Sequence, residues 1–163
     1  MNSNQIENVE VVATLLVQGK KILAVFNPRW GAFSFPMSRR KFFKDSGVSE
    51  AVMPEKLERA AARVAAEVLG RSFAPDDFPA PLIEIKDFEQ SNADGLWKLY
   101  TLHVFTLKVS EGVRLAPGVI GEWLTAKDLQ TREPVTRTAR YLLGKMEEQG
   151  VMLFRKRDRK SVV

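Results

Sequence analysis

A short basic and aromatic segment contains side chains that could bind a phosphorylated ring. Residues 38–44 are Ser-Arg-Arg-Lys-Phe-Phe-Lys. Arginine and lysine donate charge-assisted hydrogen bonds to phosphate oxygens, and phenylalanine can stack on the face of a base. We therefore expect ligand contacts at Arg39, Arg40, Lys41 and Phe42. The alternative is a surface loop that packs its two phenylalanines into the core.

A second group of charged residues is spaced along a predicted helix. Arg63 and Glu67 are four residues apart, so they share a helix face and can form an ion pair worth a few tenths of a kcal/mol. Glu55 precedes Arg63 by two helical turns and could reach it. Val64 and Val68 are also four apart and belong to an apolar stripe of the same helix. The three charged residues are thus expected to stabilise the fold as a cluster.

Other residue types limit the available chemistry. The chain contains no cysteine, which excludes a thiolate nucleophile, a thiolate metal site and a disulfide. Its single histidine, His103, lies in an apolar strand segment and is expected to be structural rather than a catalytic base.

Hydrophobic patterning predicts the elements that position these residues. Two apolar runs around Gly19 predict a β-hairpin, and a second hairpin is predicted on either side of a polar turn at residues 90–95. Helices are predicted from Pro54 to Gly70 and from Pro134 to Gly150, because proline favours the first turn and glycine the C-terminal end. The order of strands, helix, strands, helix predicts an α+β domain with a layered α/β/α arrangement and a central mixed sheet.

Composition is that of one globular domain. The 163 residues are 45% hydrophobic and 28% charged, and we expect one domain over 1–163, with a core at about 8–150 and a basic tail at 151–163. The net charge of +5 suits an anionic ligand, nucleic acid or an acidic partner. No secretory signal or membrane-spanning run is recognisable, so a cytoplasmic location with no membrane contact is expected.

The segment Trp-Gly-Ala-Phe-Ser-Phe-Pro at 30–36, followed by a helix rich in glutamate, arginine and alanine, resembles the Nudix hydrolase family. The family's box is G-x5-E-x7-R-E-U-x-E-E-x-G-U, where U is aliphatic. Glu55, Arg63, Glu67 and Gly70 match its isolated glutamate, its arginine, the first of its paired glutamates and its closing glycine. The resemblance covers about residues 8–150. It implies the Nudix fold, and hydrolysis of nucleoside diphosphate derivatives with Mg²⁺ or Mn²⁺ at Glu55, Arg63 and Glu67.

The box also departs from the family at the positions that hold metal. Val64 replaces the glutamate after the arginine, and Val68 replaces the second paired glutamate. Met37-Ser38 replaces the usual glycine pair, and the spacing from Ser38 to Glu55 is longer than in the family. Because Mg²⁺ takes oxygen ligands and valine has none, we expect no metal at this helix. Glu55 and Glu67 are its only candidate ligands there.

Three functional hypotheses follow. The first is a catalytically impaired or inactive relative of the nucleoside diphosphate hydrolases, which binds a nucleotide-like or other phosphorylated ligand. The second is an active Mg²⁺- or Mn²⁺-dependent hydrolase with relocated ligands, which uses Glu55, Glu67 and an acid from another loop. Candidate replacement ligands are Glu84, Asp87 and Glu89. The third is a nucleic-acid or protein interaction domain that uses the basic loop and tail. An aromatic-rich sheet edge could also pair in a homodimer.

Overall fold

The computed structural model describes residues 6–44, 52–91 and 94–150, and of residues 43, 44 and 52 the backbone only. It contains nine strands and three α-helices in these residues. The strands are β1 (Glu7–Gln18), β2 (Lys21–Asn27), β3 (Ala32–Ser34), β4 (Met37–Arg39), β5 (Phe42–Lys44), β6 (Val52–Pro54), β7 (Ile83–Gln90), β8 (Trp97–Lys108) and β9 (Gly121–Thr125). The helices are α1 (Leu57–Leu69), α2 (Ala126–Thr131) and α3 (Arg137–Glu148), with a short 3-10 helix at Pro75–Asp77.

The central sheet is mixed, as predicted. Its main order is β3-β2-β1-β8-β7, with β4 paired to β1 and β9 paired to β2. The long central strands β1 and β8 run parallel, with Val12 opposite His103. The other pairs in this sheet are antiparallel. Strands β5 and β6 form a separate two-stranded antiparallel ribbon.

Helices cover both faces of this sheet, which confirms the predicted layered arrangement. Successive strand residues point to opposite faces. Val12 and Leu16 of β1 therefore belong to the core under α1, whereas Leu15 of β1 belongs to the core under α3 together with Leu142 and Met146.

Both predicted hairpins are present. Strands β1 and β2 are joined at Gly19, where φ is 60°, a conformation that glycine adopts without steric cost. Strands β7 and β8 pair antiparallel over their length. The basic and aromatic segment at 38–44 overlaps β4 and includes β5, and the three-residue strand β6 comes before α1.

The predicted helix starts need correction. Pro54 does not open α1, since it ends β6 and the helix begins at Leu57 after Lys56. Gly70 closes α1 with φ 68°, as predicted. Pro134 does not open α3 either, because its carbonyl accepts a hydrogen bond from Phe33 N at 2.8 Å.

Thr136 instead caps α3, where its hydroxyl accepts a hydrogen bond from Ala139 N at 3.2 Å. At the other end, Gln149 is the C-terminal cap, with Gly150 following at φ 65°. The basic tail at 151–163 lies outside the described residues. Within the part of the chain that is described, no helix is long and apolar enough to cross a membrane.

Candidate functional site

A bidentate ion pair joins Glu55, which lies just before α1, to Arg63 on the second turn of that helix. Arg63 Nε donates to Glu55 Oε2 at 3.0 Å, and Nη2 donates to Oε1 at 2.9 Å. Glu55 is only 3% exposed. A bidentate arginine–carboxylate pair fixes orientation as well as charge, so Arg63 holds this buried carboxylate in one position.

Glu55 also forms hydrogen bonds with the backbone of Lys41. Its Oε1 accepts a hydrogen bond from Lys41 N at 3.1 Å, and its backbone N donates to Lys41 O at 2.7 Å. Burial raises the pKa of the Glu55 carboxyl, but the hydrogen bonds from Arg63 and the Lys41 amide outweigh it and hold the pKa below its ordinary value. Glu55 is therefore an ionised carboxylate with both oxygens occupied.

Arg63 uses its remaining donors on β4 and α1. Its Nη1 donates to Ser38 Oγ at 3.0 Å, and its Nη2 donates to Arg39 O at 3.2 Å. Its Nη1 also lies 3.6 Å from Glu67 Oε1, the expected pair four residues on. The Glu67 side chain is 64% exposed, so it contributes little to this cluster.

Arg40 belongs to a second, partly buried network. Its Nε donates to Glu55 O at 2.6 Å, and its Nη1 contacts the Glu10 carboxylate of β1 at 3.0 and 3.2 Å. Glu10 Oε1 lies 3.0 Å from His103 Nε2. Because its guanidinium is bonded inside the protein, Arg40 is held in place as a structural link between β1 and α1.

The residues at the metal positions of the box do not fit a divalent cation. Val64 is 2% exposed and Val68 is 7% exposed, and both pack as core residues without a donor atom. The oxygens of Glu55 are already bonded to Arg63 and Lys41. Among the described residues, no group of three or more histidine, aspartate or glutamate side chains is arranged to hold a metal.

A cavity of about 840 Å³ lies next to this cluster. Its wall includes Ser38 and Arg39, the β4 residues that Arg63 contacts. A volume of this size falls in the range of small-molecule sites. Aromatic rings form much of the remaining lining: Trp30, Phe88, Trp97, Tyr100 and Tyr141.

The cavity has charges of both signs. Arg39 comes from β4 and Arg137 from the first turn of α3, while Asp87 and Glu89 come from one face of β7. The hydrogen bond with Asp87, followed by burial, raises the pKa of the Glu89 carboxyl. Glu89 therefore keeps its proton to a higher pH than an isolated glutamate does.

The four predicted ligand residues are not brought together. Arg39 lines the cavity, whereas Arg40 is bonded to Glu10 and Glu55. Lys41 and Phe42 are exposed and do not line it. The alternative that packs both phenylalanines into the core does not hold for Phe42, which is 58% exposed.

Of the three candidate carboxylates on β7, Asp87 and Glu89 line the cavity and Glu84 lies on the opposite face of the strand. Sequence patterns did not indicate the cavity residues Trp97, Tyr100, Arg137 and Tyr141. These residues belong to β8 and α3, which meet only in the folded chain, so no local motif marks them.

The architecture is similar to that of several solved structures. A MutT protein from Methanosarcina mazei Go1 is 16% identical with a TM-score of 0.61, and the match covers 92% of this chain and 100% of that one. The Nudix domain of NrtR from Shewanella oneidensis, complexed with ADP ribose, is 17% identical with a TM-score of 0.56, covering 89% and 90%.

A third similar structure is a bifunctional NMN adenylyltransferase/ADP ribose pyrophosphatase from Francisella tularensis, complexed with AMP and a Mn ion. It is 11% identical with a TM-score of 0.57, over 91% of this chain and 43% of that longer one. No family model matches the sequence, and no curated protein matches it. The chain therefore has the Nudix fold, as its resemblance to the family implied.

Proposed function

We propose that this protein binds a small phosphorylated, nucleotide-like ligand in the cavity beside the Glu55–Arg63 cluster. We further propose that it has lost the metal-dependent hydrolysis expected of an active Nudix enzyme. The observation that carries the binding proposal is the cavity lining, which combines exposed aromatic rings with two arginines.

The chemistry of the lining supports a ligand with a ring and an anionic group. Trp30 is 57% exposed and presents a ring face on which a base can stack, whereas the ring of Trp97 is stacked on Phe88. Arg39 and Arg137 can donate charge-assisted hydrogen bonds to phosphate. The NrtR domain, a neighbour in fold, was solved with ADP ribose, which makes that compound a suitable probe.

The chemistry of the box positions supports the loss of hydrolysis. Metal catalysis needs a cation that polarises the phosphoryl group or activates water. Buried Val64 and Val68 offer no ligand to that cation, and Glu55 is bonded to Arg63. Glu67 alone, largely exposed, is a poor site for an ion that loses its water reluctantly.

A second candidate function is hydrolysis with relocated ligands. The observation in its favour is that Asp87 and Glu89 face the cavity. In that case, Asp87→Asn or Glu89→Gln would abolish metal-dependent cleavage of a diphosphate substrate, whereas Glu84→Gln, on the opposite face of β7, would leave it unchanged.

Isothermal titration calorimetry with ADP ribose and AMP tests the binding proposal. Arg39→Ala and Arg137→Ala should each weaken binding about tenfold, the value of one charge-assisted hydrogen bond. Arg59→Ala, on an exposed face of α1, is the matched control and should leave affinity unchanged. Absence of binding to both compounds, or equal effects of all three substitutions, would reject the cavity as the site.

A further inference from the structure

Strand β7 forms an edge of the central sheet. It pairs with β8 on one side, and in the residues that the structure describes no strand lies on its other side. An edge strand presents unpaired backbone N–H and C=O groups that can pair with another chain. The sequence of β7, Ile-Glu-Ile-Lys-Asp-Phe-Glu-Gln, is eight residues long and contains no proline that would block such pairing.

Two side chains of opposite charge lie next to each other on one face of this edge strand. Glu84 and Lys86 are exposed and lie on the same face, two residues apart. Within the described part of the chain, neither side chain has an ion-pair partner. The next residue on this face, Phe88, is 48% exposed and stacks on Trp97 of β8 with 5.2 Å between ring centroids. The apolar surface of Phe88 and Trp97 thus lies directly beside the charged pair Glu84 and Lys86.

The charge pattern of β7 is complementary to itself in one register. Directly opposite side chains of an antiparallel pair share a face. When two copies of one strand pair about a twofold axis, opposite residues are therefore an even number of positions apart in the sequence. The axis then passes through a residue and not between two residues. Centring on Ile85 places Glu84 of each copy opposite Lys86 of the other. Centring on Glu84, Lys86 or Asp87 places like charges directly opposite each other, which is destabilising.

We propose that two copies of this chain associate through antiparallel pairing of their β7 strands about Ile85, with two reciprocal Glu84–Lys86 pairs. The central sheet then continues from one copy into the other, and the Phe88–Trp97 stack lies beside the joint. Asp87 and Phe88 also line the cavity, so the second copy stands next to the ligand site. This proposal does not depend on which ligand binds there.

Charge exchange tests the register in the full-length protein. Sedimentation equilibrium should give a dimer for the natural protein, and Glu84→Lys or Lys86→Glu should each weaken it roughly tenfold, because each substitution acts twice across the twofold axis. The double variant Glu84→Lys/Lys86→Glu should restore the natural affinity. Glu111→Lys, an equal charge change on an exposed loop, should have no effect.

Disulfide trapping provides a second readout that does not rely on charge. The chain has no cysteine, so Glu84→Cys and Lys86→Cys each introduce a single thiol. Directly opposite residues have Cα atoms ~4.5–5.5 Å apart, within disulfide reach. A mixture of the two variants should cross-link between unlike chains, whereas neither variant should cross-link efficiently with itself.

Two results would overturn the proposal. A natural protein that stays monomeric up to its solubility limit would show that Lys86 and its neighbours keep the edge unpaired. A dimer in which the double variant stays as weak as the single ones, with equal cross-linking in like and unlike mixtures, would place the interface or the register elsewhere.

Discussion

Arg63 and Glu55 are joined by two hydrogen bonds of 3.0 and 2.9 Å, and both residues match charged positions of the Nudix box. Through this contact and the Lys41 amide, both oxygens of the Glu55 carboxylate accept hydrogen bonds from the protein itself. The same arginine reaches Ser38 and Arg39. The side chains at these two positions therefore form a clamp between β4 and α1.

Loss of this clamp should destabilise the protein. Arg63→Ala leaves the nearly buried Glu55 charge without its partner, and we expect the free energy of unfolding to fall by about 3 kcal/mol. Arg63→Lys should recover only part of it, since lysine cannot form the bidentate pair. Urea denaturation measures the difference, with Arg59→Ala as the control. Equal stability of Arg63→Ala and Arg59→Ala would refute the role of the clamp.

The same pair predicts a dependence of stability on pH. The pKa of Glu55 is lower in the folded protein than its ordinary value of 4.5. Its contribution to stability is therefore fully present above that ordinary value and is lost as the pH falls through the lowered one. Glu55→Gln should be less stable than the natural protein at neutral pH, and the gap should narrow in acid. A gap that stays constant would mean that ionisation of Glu55 contributes nothing.

Placing a carboxylate at position 64 of α1 should destabilise the folded protein. Val64 is 2% exposed, so Val64→Glu buries a charged group, and we expect the free energy of unfolding to fall by about 3 kcal/mol or more. Val64→Ala, which removes volume without adding charge, is the comparison and should cost less. If Val64→Glu is as stable as the natural protein and binds Mg²⁺ tightly, this helix face is open to the cleft.

The layered fold was predictable because its main elements have strong local signals. Two apolar runs on either side of Gly19 mark the first hairpin, and the alanine-rich run ending at Gly70 marks α1. Three-residue strands such as β4 and β6 have too few residues to show a period. The start of α3 was misplaced because Pro134 is a strong helix-start signal, whereas Phe33 pairs with that segment before the helix begins.

The candidate site was predictable only where the partners lie close together in the sequence. The spacing of Glu55 and Arg63 indicated their contact, and the spacing of Val64 and Val68 indicated a buried stripe. The contact of Arg40 with Glu10 joins residues thirty positions apart, and no periodicity reports it. The cavity is likewise assembled from separate strands and a helix.

The face of α1 that corresponds to the metal positions of the box should not bind a divalent cation. Mg²⁺ titrated into the protein without a nucleotide should produce no heat of binding at the α1 face, because Val64 and Val68 provide no oxygen. Glu67→Gln should leave that result unchanged. Tight binding of Mg²⁺ or Mn²⁺ that Glu67→Gln abolishes would show that a metal site persists at the box.

The most direct test of the proposed function is titration of ADP ribose into the natural protein, once with EDTA and once with excess Mg²⁺ or Mn²⁺, followed by chromatography of the recovered nucleotide. We predict the same dissociation constant in all conditions and recovery of intact ADP ribose. Cleavage to AMP and ribose phosphate with metal but not with EDTA would contradict the proposed loss of hydrolysis and establish an active hydrolase.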